Sequence, residues 1–250
     1  NFVITEPAEF LFLTETSTDL NCHDSNDGTV TVTVSGGVSP YTFTLNQTGT
    51  IQTTGNFTDL MPNTYNVTVV DINLNTITSS DLVVANPDEI TIQSEIGTDI
   101  TCYSLTDGII DVVAAGGTGD LTYTLWPDSI VNPVNDGKFE GLQVGTYYVS
   151  VTDENLCPEG ISSFIAIEEP PELIIISESS TDITCNNANN GIIAVEGSGG
   201  TGVLSYTLNP GDTTNNTGTF YDLSDGTYIV TVEDPKQKTI LSYRFDIFNP

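Results

Sequence analysis

The chain has 250 residues, with 34 acidic side chains against four basic ones and a formal charge of −30. The bases are Lys138, Lys236, Lys238 and Arg244, so residues 1–137 carry no Lys or Arg at all. Nucleic-acid phosphates and anionic membrane surfaces are gripped by basic side chains, which excludes both as partners, and no apolar run approaches the ~20 residues of a membrane-spanning helix. Such acidity instead keeps a long polymer soluble and self-repelling, and it attracts calcium.

Taken in chain order, the elements come three times. "NFVITEP" opens the chain and matches the hydrophobic, proline-capped endings "LVVANP" (82–87), "FIAIEEP" (164–170) and "FDIFNP" (245–250). Residues 1–6 are therefore expected to be the last strand of a preceding copy. A box follows, "TDLNCHDSNDG" (18–28), which recurs as "TDITCYSLTDG" (98–108) and "TDITCNNANNG" (181–191). After each box come a Val-rich or Ile-rich run, a Gly-Gly pair (36–37, 116–117, 199–200) and a tyrosine (Tyr41, Tyr123, Tyr206). "LMPNTYNVTVVD" (60–71), "LQVGTYYVSVTD" (142–153) and "LSDGTYIVTVED" (223–234) close each unit before its final run. The period of about 80 residues defines an array segment with repeats at 7–87, 88–170 and 171–250.

Within each repeat the hydrophobic period is two. Val30, Val32 and Val34 alternate with threonines, and Tyr65, Val67 and Val69 share a face, as do 147, 149, 151 and 228, 230, 232. Alternating β-branched and aromatic residues suit strands with one wet face and one core face. Short strands separated by Gly, Asn, Asp and Pro turns predict an all-β chain of three tandem immunoglobulin-like sandwiches, about seven strands each, arrayed end to end. Tyr65, Tyr147 and Tyr228 fit a tyrosine corner at the start of strand F.

The ordered landmarks, from the box cysteine through Gly-Gly, "PYTF" (40–43) and "GTYYVSVTD" (145–153) to "NLC" (155–157), resemble the SprB repeat. The resemblance spans essentially the whole chain. It implies a segment of a giant cell-surface adhesin of gliding Bacteroidetes, exported by type IX secretion, moved by a motility motor and gripping an extracellular substratum or polysaccharide. Members commonly carry a second cysteine after the D-x-N turn; here Cys157 supplies it, while Asn75 and Lys238 stand in the matching places.

The chemistry available is sparse. His23, the one histidine, sits in a box whose other copies hold Tyr103 and Asn186, so it reads as a loop residue and not as part of a catalytic triad. No zinc spacing and no phosphate loop are present, and no enzyme and no cofactor are expected. The acids of the boxes read as turn chemistry, because the third copy keeps no carboxylate between Cys185 and Gly191. At the junctions, Glu6 and Glu9, Asp88 and Glu89, and Glu168, Glu169 and Glu172 flank the boundary prolines. They are the places where calcium would bridge neighbouring sandwiches; solvated acidic hinges are the simpler reading, and no metal site is assigned. Trp126, with Thr44 and Leu208 or Asn209 in the equivalent places, offers a sugar contact or else a ring that covers its own sandwich. Ser129 in "DSI" and Thr213 in "DTT" match a short O-glycosylation pattern.

Strand direction bears on the cysteines. Each box lies between strands A and B, whereas Cys157 lies in the F–G turn at the other end of its sandwich. Strand B alone spans roughly 25 Å, and a disulfide needs Cα atoms within about 7 Å. End-to-end stacking makes Cys22 the nearer partner of Cys157, with Cys102–Cys157 as the alternative; Cys102 and Cys185 then stay free. Two functions remain open: a structural and adhesive stalk, or a calcium-dependent or carbohydrate-binding recognition module.

Overall fold

The computed structural model describes residues 8–186 and 188–250; the strand expected over 1–6, and Glu6 with it, lies outside them. Every regular element among the described residues is a strand. The first repeat holds β1 (Leu11–Thr18), β2 (Gly28–Ser35), β3 (Thr42–Leu45), β4 (Thr50–Gln52), β5 (Asn56–Leu60), β6 (Asn63–Tyr65), β7 (Val67–Val70), β8 (Thr76–Thr78) and β9 (Leu82–Val84). The second holds β10 (Thr91–Thr98), β11 (Gly108–Ala115), β12 (Thr122–Trp126), β13 (Ile130–Val131), β14 (Lys138–Leu142), β15 (Gly145–Thr152), β16 (Gly160–Ile161) and β17 (Ile165–Ile167). The third holds β18 (Ile174–Thr181), β19 (Gly191–Ser198), β20 (Ser205–Asn209), β21 (Thr213–Asn215), β22 (Thr219–Leu223), β23 (Gly226–Glu233), β24 (Thr239–Leu241) and β25 (Phe245–Ile247).

The same sheets recur: β1-β2-β5 opposite β4-β3-β7-β8, then β10-β11-β14 with β13-β12-β15-β16, then β18-β19-β22 with β21-β20-β23-β24. The strands pair antiparallel, and the chain is an immunoglobulin-like sandwich pattern repeated three times. Seven strand positions underlie the longer count of elements because strand G is broken in every repeat and strand F is split at Asn66 in the first. The buried hydroxyl of Ser79 accepts from the Val67 amide at 2.9 Å and donates to the Ser80 carbonyl at 2.9 Å. Ser162 and Ser242 repeat this on Val149 and Val230, each at 2.8 Å. A side chain inserted into the ladder satisfies the backbone there and ends one segment of G before the next begins.

The chain divides into two compact units. One comprises the residues up to Ser94 with Val112–Gly137 and Tyr148–Ser163. It contains the first sandwich, whose core of Val30, Val32, Leu45, Val67, Val69 and Val84 is almost fully buried. It also contains the C–F face of the second repeat, where β12 and β15 pair from Thr122↔Thr152 to Trp126↔Tyr148. The other unit comprises Glu95–Asp111, Lys138–Tyr147 and Phe164–Pro250. It holds the β11–β14 ladder (Gly108↔Leu142, Ile110↔Phe139) and the third sandwich, with Ile193, Val195, Leu208, Val230 and Val232 at its centre.

The Gly-Gly pairs serve close approach. Gly116 has φ +93° and a Cβ there would strike the carbonyl of Glu89, while the Gly117 amide donates to the Asp88 carbonyl at 2.8 Å. The backbone of the boundary acids is thereby pinned to the B–C turn of the repeat that follows them.

Candidate functional site: the boxes and F–G turns

Each box is a closed loop. In the first, the Asn21 amide donates to Asp27 Oδ1 at 3.0 Å and the Ser25 amide to the Cys22 carbonyl at 3.1 Å. The second closes through Asp107 on the Thr101 amide (3.0 Å), and the third through Asn190 on the Thr184 amide (3.1 Å). The first aspartate of each box faces the other way. Asp19, Asp99 and Asp182 accept the amides of Ala85, Glu168 and Phe248 at 2.8, 2.8 and 2.9 Å, fastening the box to strand G. Hydrogen bonds from Ser25 and Asn21 hold the Asp27 carboxyl below the usual carboxylate range, and the Thr101 hydroxyl and amide do the same for Asp107. Asp27 and Asp107 are thus committed to their turns, and the first Asp of each box to strand G.

The tyrosines stand where strand F begins. Tyr65, Tyr147 and Tyr228 donate to the carbonyls of Met61, Gln143 and Ser224 at 2.8, 3.1 and 3.2 Å, four residues upstream. Burial raises the Tyr65 phenol above its ordinary value.

At the opposite end of each sandwich lies a feature the sequence did not announce. Asp71, Asp153 and Asp234 are 2 %, 2 % and 4 % exposed, yet no cation meets them in the described residues. Backbone amides do so instead. Asp153 accepts from Thr118 at 2.8 Å, Asn155 at 3.1 Å and Cys157 at 3.0 Å. Asp71 takes the equivalent amides of Val38, Asn73 and Asn75 at 3.0, 2.9 and 2.8 Å. Asp234 takes those of Thr201, Lys236 and Lys238 at 2.9, 2.9 and 3.0 Å. Burial pushes each carboxyl up, but the hydrogen bonds together outweigh it and hold all three below the usual range. Each knot ties the B–C turn to the F–G turn. Its signal in the sequence is an Asp at the same place after an alternating apolar strand in every copy.

The first box and the second F–G turn meet. Cys22 and Cys157 form a disulfide with Cα atoms 5.3 Å apart, 135 residues apart in sequence. Around it the Asn21 carbonyl accepts from Asn155 Nδ2 at 2.9 Å and from the Thr118 hydroxyl at 3.1 Å. On the linker side, Asp24 and Asn86 exchange two hydrogen bonds of 2.9 Å, and His23 Nδ1 lies 2.8 Å from the Pro87 carbonyl. That carbonyl is the main reason the imidazole is raised above its ordinary pKa; Asp24, Glu89 and Asp88 add to it. A pocket of about 130 Å³ opens beside the disulfide, lined by His23, Asp88, Glu89, Ile90, Gly117, Cys157 and Pro158.

The next box keeps the linker contact and not the staple. The Ser104 amide donates to Glu169 at 2.9 Å, in the manner of Asp24 on Asn86. Cys102 is a free, half-buried thiol, and Cys185 is free and exposed.

The calcium candidates are dispersed. Asp88, Glu89 and Glu168 are exposed, Glu169 caps the second box, and no group of three or more metal-binding side chains occurs among the described residues. Trp126 is half-buried: it stacks on Tyr148 at 6.2 Å and 11°, and its indole N–H donates to Ser150 at 3.0 Å. The register corrects its counterparts. Asn46 and Asn209 hold the equivalent places, and Thr44 does not: Asn46 bonds Asn66 and Asn209 bonds Thr231. Ser129 and Thr213 are both exposed.

These features define a tandem β-sandwich repeat chain whose distinctive chemistry lies where repeats meet. Residues 14–50 and 177–213 match the model of the SprB repeat. No curated protein matches it. Among solved structures, the three N-terminal domains of the bacteriophage RB49 highly immunogenic outer capsid protein align over 96% of this chain and 99% of theirs, at 14% identity and TM-score 0.46. The eight N-terminal Ig domains of Down Syndrome Cell Adhesion Molecule align over 93% of this chain and 36% of theirs, at 11% identity and TM-score 0.42. A tetra-tandem repeat from the extending region of a large adhesion protein aligns over 94% and 74%, at 14% identity and TM-score 0.24.

Proposed function

We propose that the chain is a non-catalytic segment of a secreted cell-surface adhesin, with repeats bounded near Pro87 and Pro170, serving as stalk and adhesive surface in gliding motility. The observation that carries this reading is the junction itself. A disulfide, two turn-to-box hydrogen bonds and an Asp24–Asn86 clasp are placed where one sandwich hands over to the next, and they restrict the joint. A chain that transmits force or reach needs restricted joints; one that only presents a ligand site does not. Disulfides persist outside the reducing cytosol, which suits an extracellular location. The SprB matches support the adhesin class, with an extracellular substratum or polysaccharide as partner and type IX secretion as the export route.

Small-angle scattering with and without a reductant tests the stalk. Reduction is expected to broaden the distribution of interatomic distances through freer motion at Cys22–Cys157, and an unchanged distribution would overturn the reading. The second reading, a calcium-dependent or carbohydrate-binding recognition module, is favoured by one observation: the Trp126–Tyr148 stack occurs in one repeat only, where the others place Asn46–Asn66 and Asn209–Ile229. Saturable glycan binding abolished by Trp126→Ala, or by chelating calcium, would establish it in place of the stalk.

A further inference from the structure

The third sandwich carries an open groove on its side. β18 ends one of its sheets and β24 ends the other, and between them lies a groove of about 570 Å³ lined by Ile174, Ile175, Ile176, Ile240, Leu241 and Tyr243. Glu178 closes one end, accepting the Tyr243 amide at 3.1 Å. The Ser242 amide donates inward to the Val230 carbonyl at 2.9 Å, so the amide and carbonyl of Leu241, one residue earlier, point off the sheet edge. Ile174, Ile176, Leu241 and Tyr243 are exposed. The fold does not require them. The first repeat holds Leu11, Leu13, Thr78 and Ser80 at these places, and the second holds Thr91, Gln93, Ile161 and Ser163. A free strand edge is usually blunted by charged side chains that discourage pairing, and this one has none at those four places. Nor does the end of the chain leave it open. At the stapled junction, the disulfide and the hydrogen bonds around it come from a box, two turns and the linker, and not from β10 or β16, the counterparts of β18 and β24.

We propose that this groove binds an extended strand of a different protein, one that alternates apolar with basic residues, by β-strand addition. An extended backbone meets edge amides and carbonyls in register, and alternate side chains of such a strand point together into the apolar groove. Charge selects the partner. The chain carries −30, and Glu178, Glu196 and Glu233 stand on the strands that form or flank the groove. Of the bases in this repeat, Arg244 is paired with Asp246 at 3.0 Å, while Lys236 and Lys238 lie in the F–G turn. A basic strand is attracted to such a surface, whereas a second copy of this chain is repelled. The inference goes beyond the stalk reading, since it concerns the side of one repeat and holds whatever the joints do.

Fluorescence anisotropy on the full chain tests it with short blocked peptides that alternate valine with lysine, valine with glutamate, or glycine with lysine. Physiological salt screens non-specific attraction to the acidic surface. The valine–lysine peptide should bind saturably, several-fold more tightly than either of the others, and should slow hydrogen exchange at the Leu241 amide. Methylating the backbone amides of that peptide should weaken binding several-fold, because strand addition rests on main-chain hydrogen bonds. Leu241→Thr with Tyr243→Ser installs the residues of the first repeat at exposed positions. This double variant should weaken binding as much while leaving the melting temperature unchanged. The proposal is overturned if the valine–lysine peptide fails to bind or binds no more tightly than the others. It is also overturned if methylated amides or the double variant leave its affinity unchanged. Self-association of the chain that the double variant abolishes would overturn it too, because the occupant would then be a second copy.

Discussion

The two junctions of this chain are built from the same box and the same knotted turn, and they differ at two turn positions. After the first repeat, Asn155 and Cys157 face the box, one bonding the Asn21 carbonyl and the other Cys22. After the second, the corresponding residues are Lys236 and Lys238, Cys102 stays reduced, and Lys236 is close enough to help lower the Asp107 carboxyl. One joint is covalent; the other has no cross-link and keeps the hydrogen bond of the Ser104 amide to Glu169. Asp153 and Asp234 bind the amides of these residues equally well whatever the side chains are. The fold therefore fixes where the connector sits, and side chains the fold does not need decide whether it is covalent.

The largest expected effect comes from breaking the covalent joint. Cys157→Ser opens a cross-link between residues 135 apart, for which the chain-entropy account gives at most about 5 kcal/mol. Calorimetry should show the loss in the transition of the first two repeats, with that of the third unmoved. An equal loss from Cys102→Ser, which breaks no bond, would erase the distinction between the joints.

Next come the aspartate knots, which the joints share. Asp153→Asn and Asp234→Asn each weaken a buried acceptor of several amides, at a cost of about 2 kcal/mol. Both should destabilise in urea, but Asp153→Asn alone should also make the disulfide easier to reduce, because it loosens the turn that presents Cys157. Equal ease of reduction in both variants would sever knot from staple. The folded pKa values of these carboxyls lie below the unfolded value of about 3.9. Their contribution is therefore fully present above that pH and is lost as pH falls through the still lower folded values. Acid unfolding should begin below about pH 4 and should flatten in the two Asn variants.

A smaller gain is expected from converting the second joint into the first. Lys238→Cys places a thiol opposite Cys102 and should close a disulfide, visible by non-reducing peptide mapping. Engineered cross-links deliver less than theory, so about 1–2 kcal/mol is expected. A variant that keeps both thiols would mean the second joint is not a copy of the first.

The repeats and the all-β fold were legible because alternation such as Val30, Val32 and Val34, and tyrosines such as Tyr65, are local signals of strand and corner. The junction was legible only as far as strand direction carries, which places a box and an F–G turn at opposite ends of one sandwich. The aspartate knots were legible only in part. From the sequence, Asp71, Asp153 and Asp234 recur after an alternating strand and two of the amides each accepts lie two and four residues on, but the third lies in the B–C turn 33 to 35 residues upstream, which no local pattern marks. The break in strand G escaped for a similar reason, since a serine that bonds a backbone amide across the sheet has the same letter as one in water. Asn46 escaped as the counterpart of Trp126 because an offset of two residues keeps a side chain on the same face of a strand.

The smallest expected effect separates the joints by pH. His23 stands in the first box where Tyr103 stands in the second, and the Pro87 carbonyl, with Asp24, Glu89 and Asp88 nearby, raises its pKa above 6.5. A raised folded pKa means that protonation stabilises the folded joint. The contribution is fully present below the unfolded value and is lost as pH rises through the folded one. The imidazole should titrate above 6.5 by NMR, and amide exchange in the first box should quicken modestly between about pH 6 and 8 beyond the intrinsic rise in exchange rate. His23→Asn, the residue the third box carries at Asn186, should remove that excess, and the second box should never show it. A measured pKa at or below 6.5 would dismiss the Pro87 contact as a determinant of the joint.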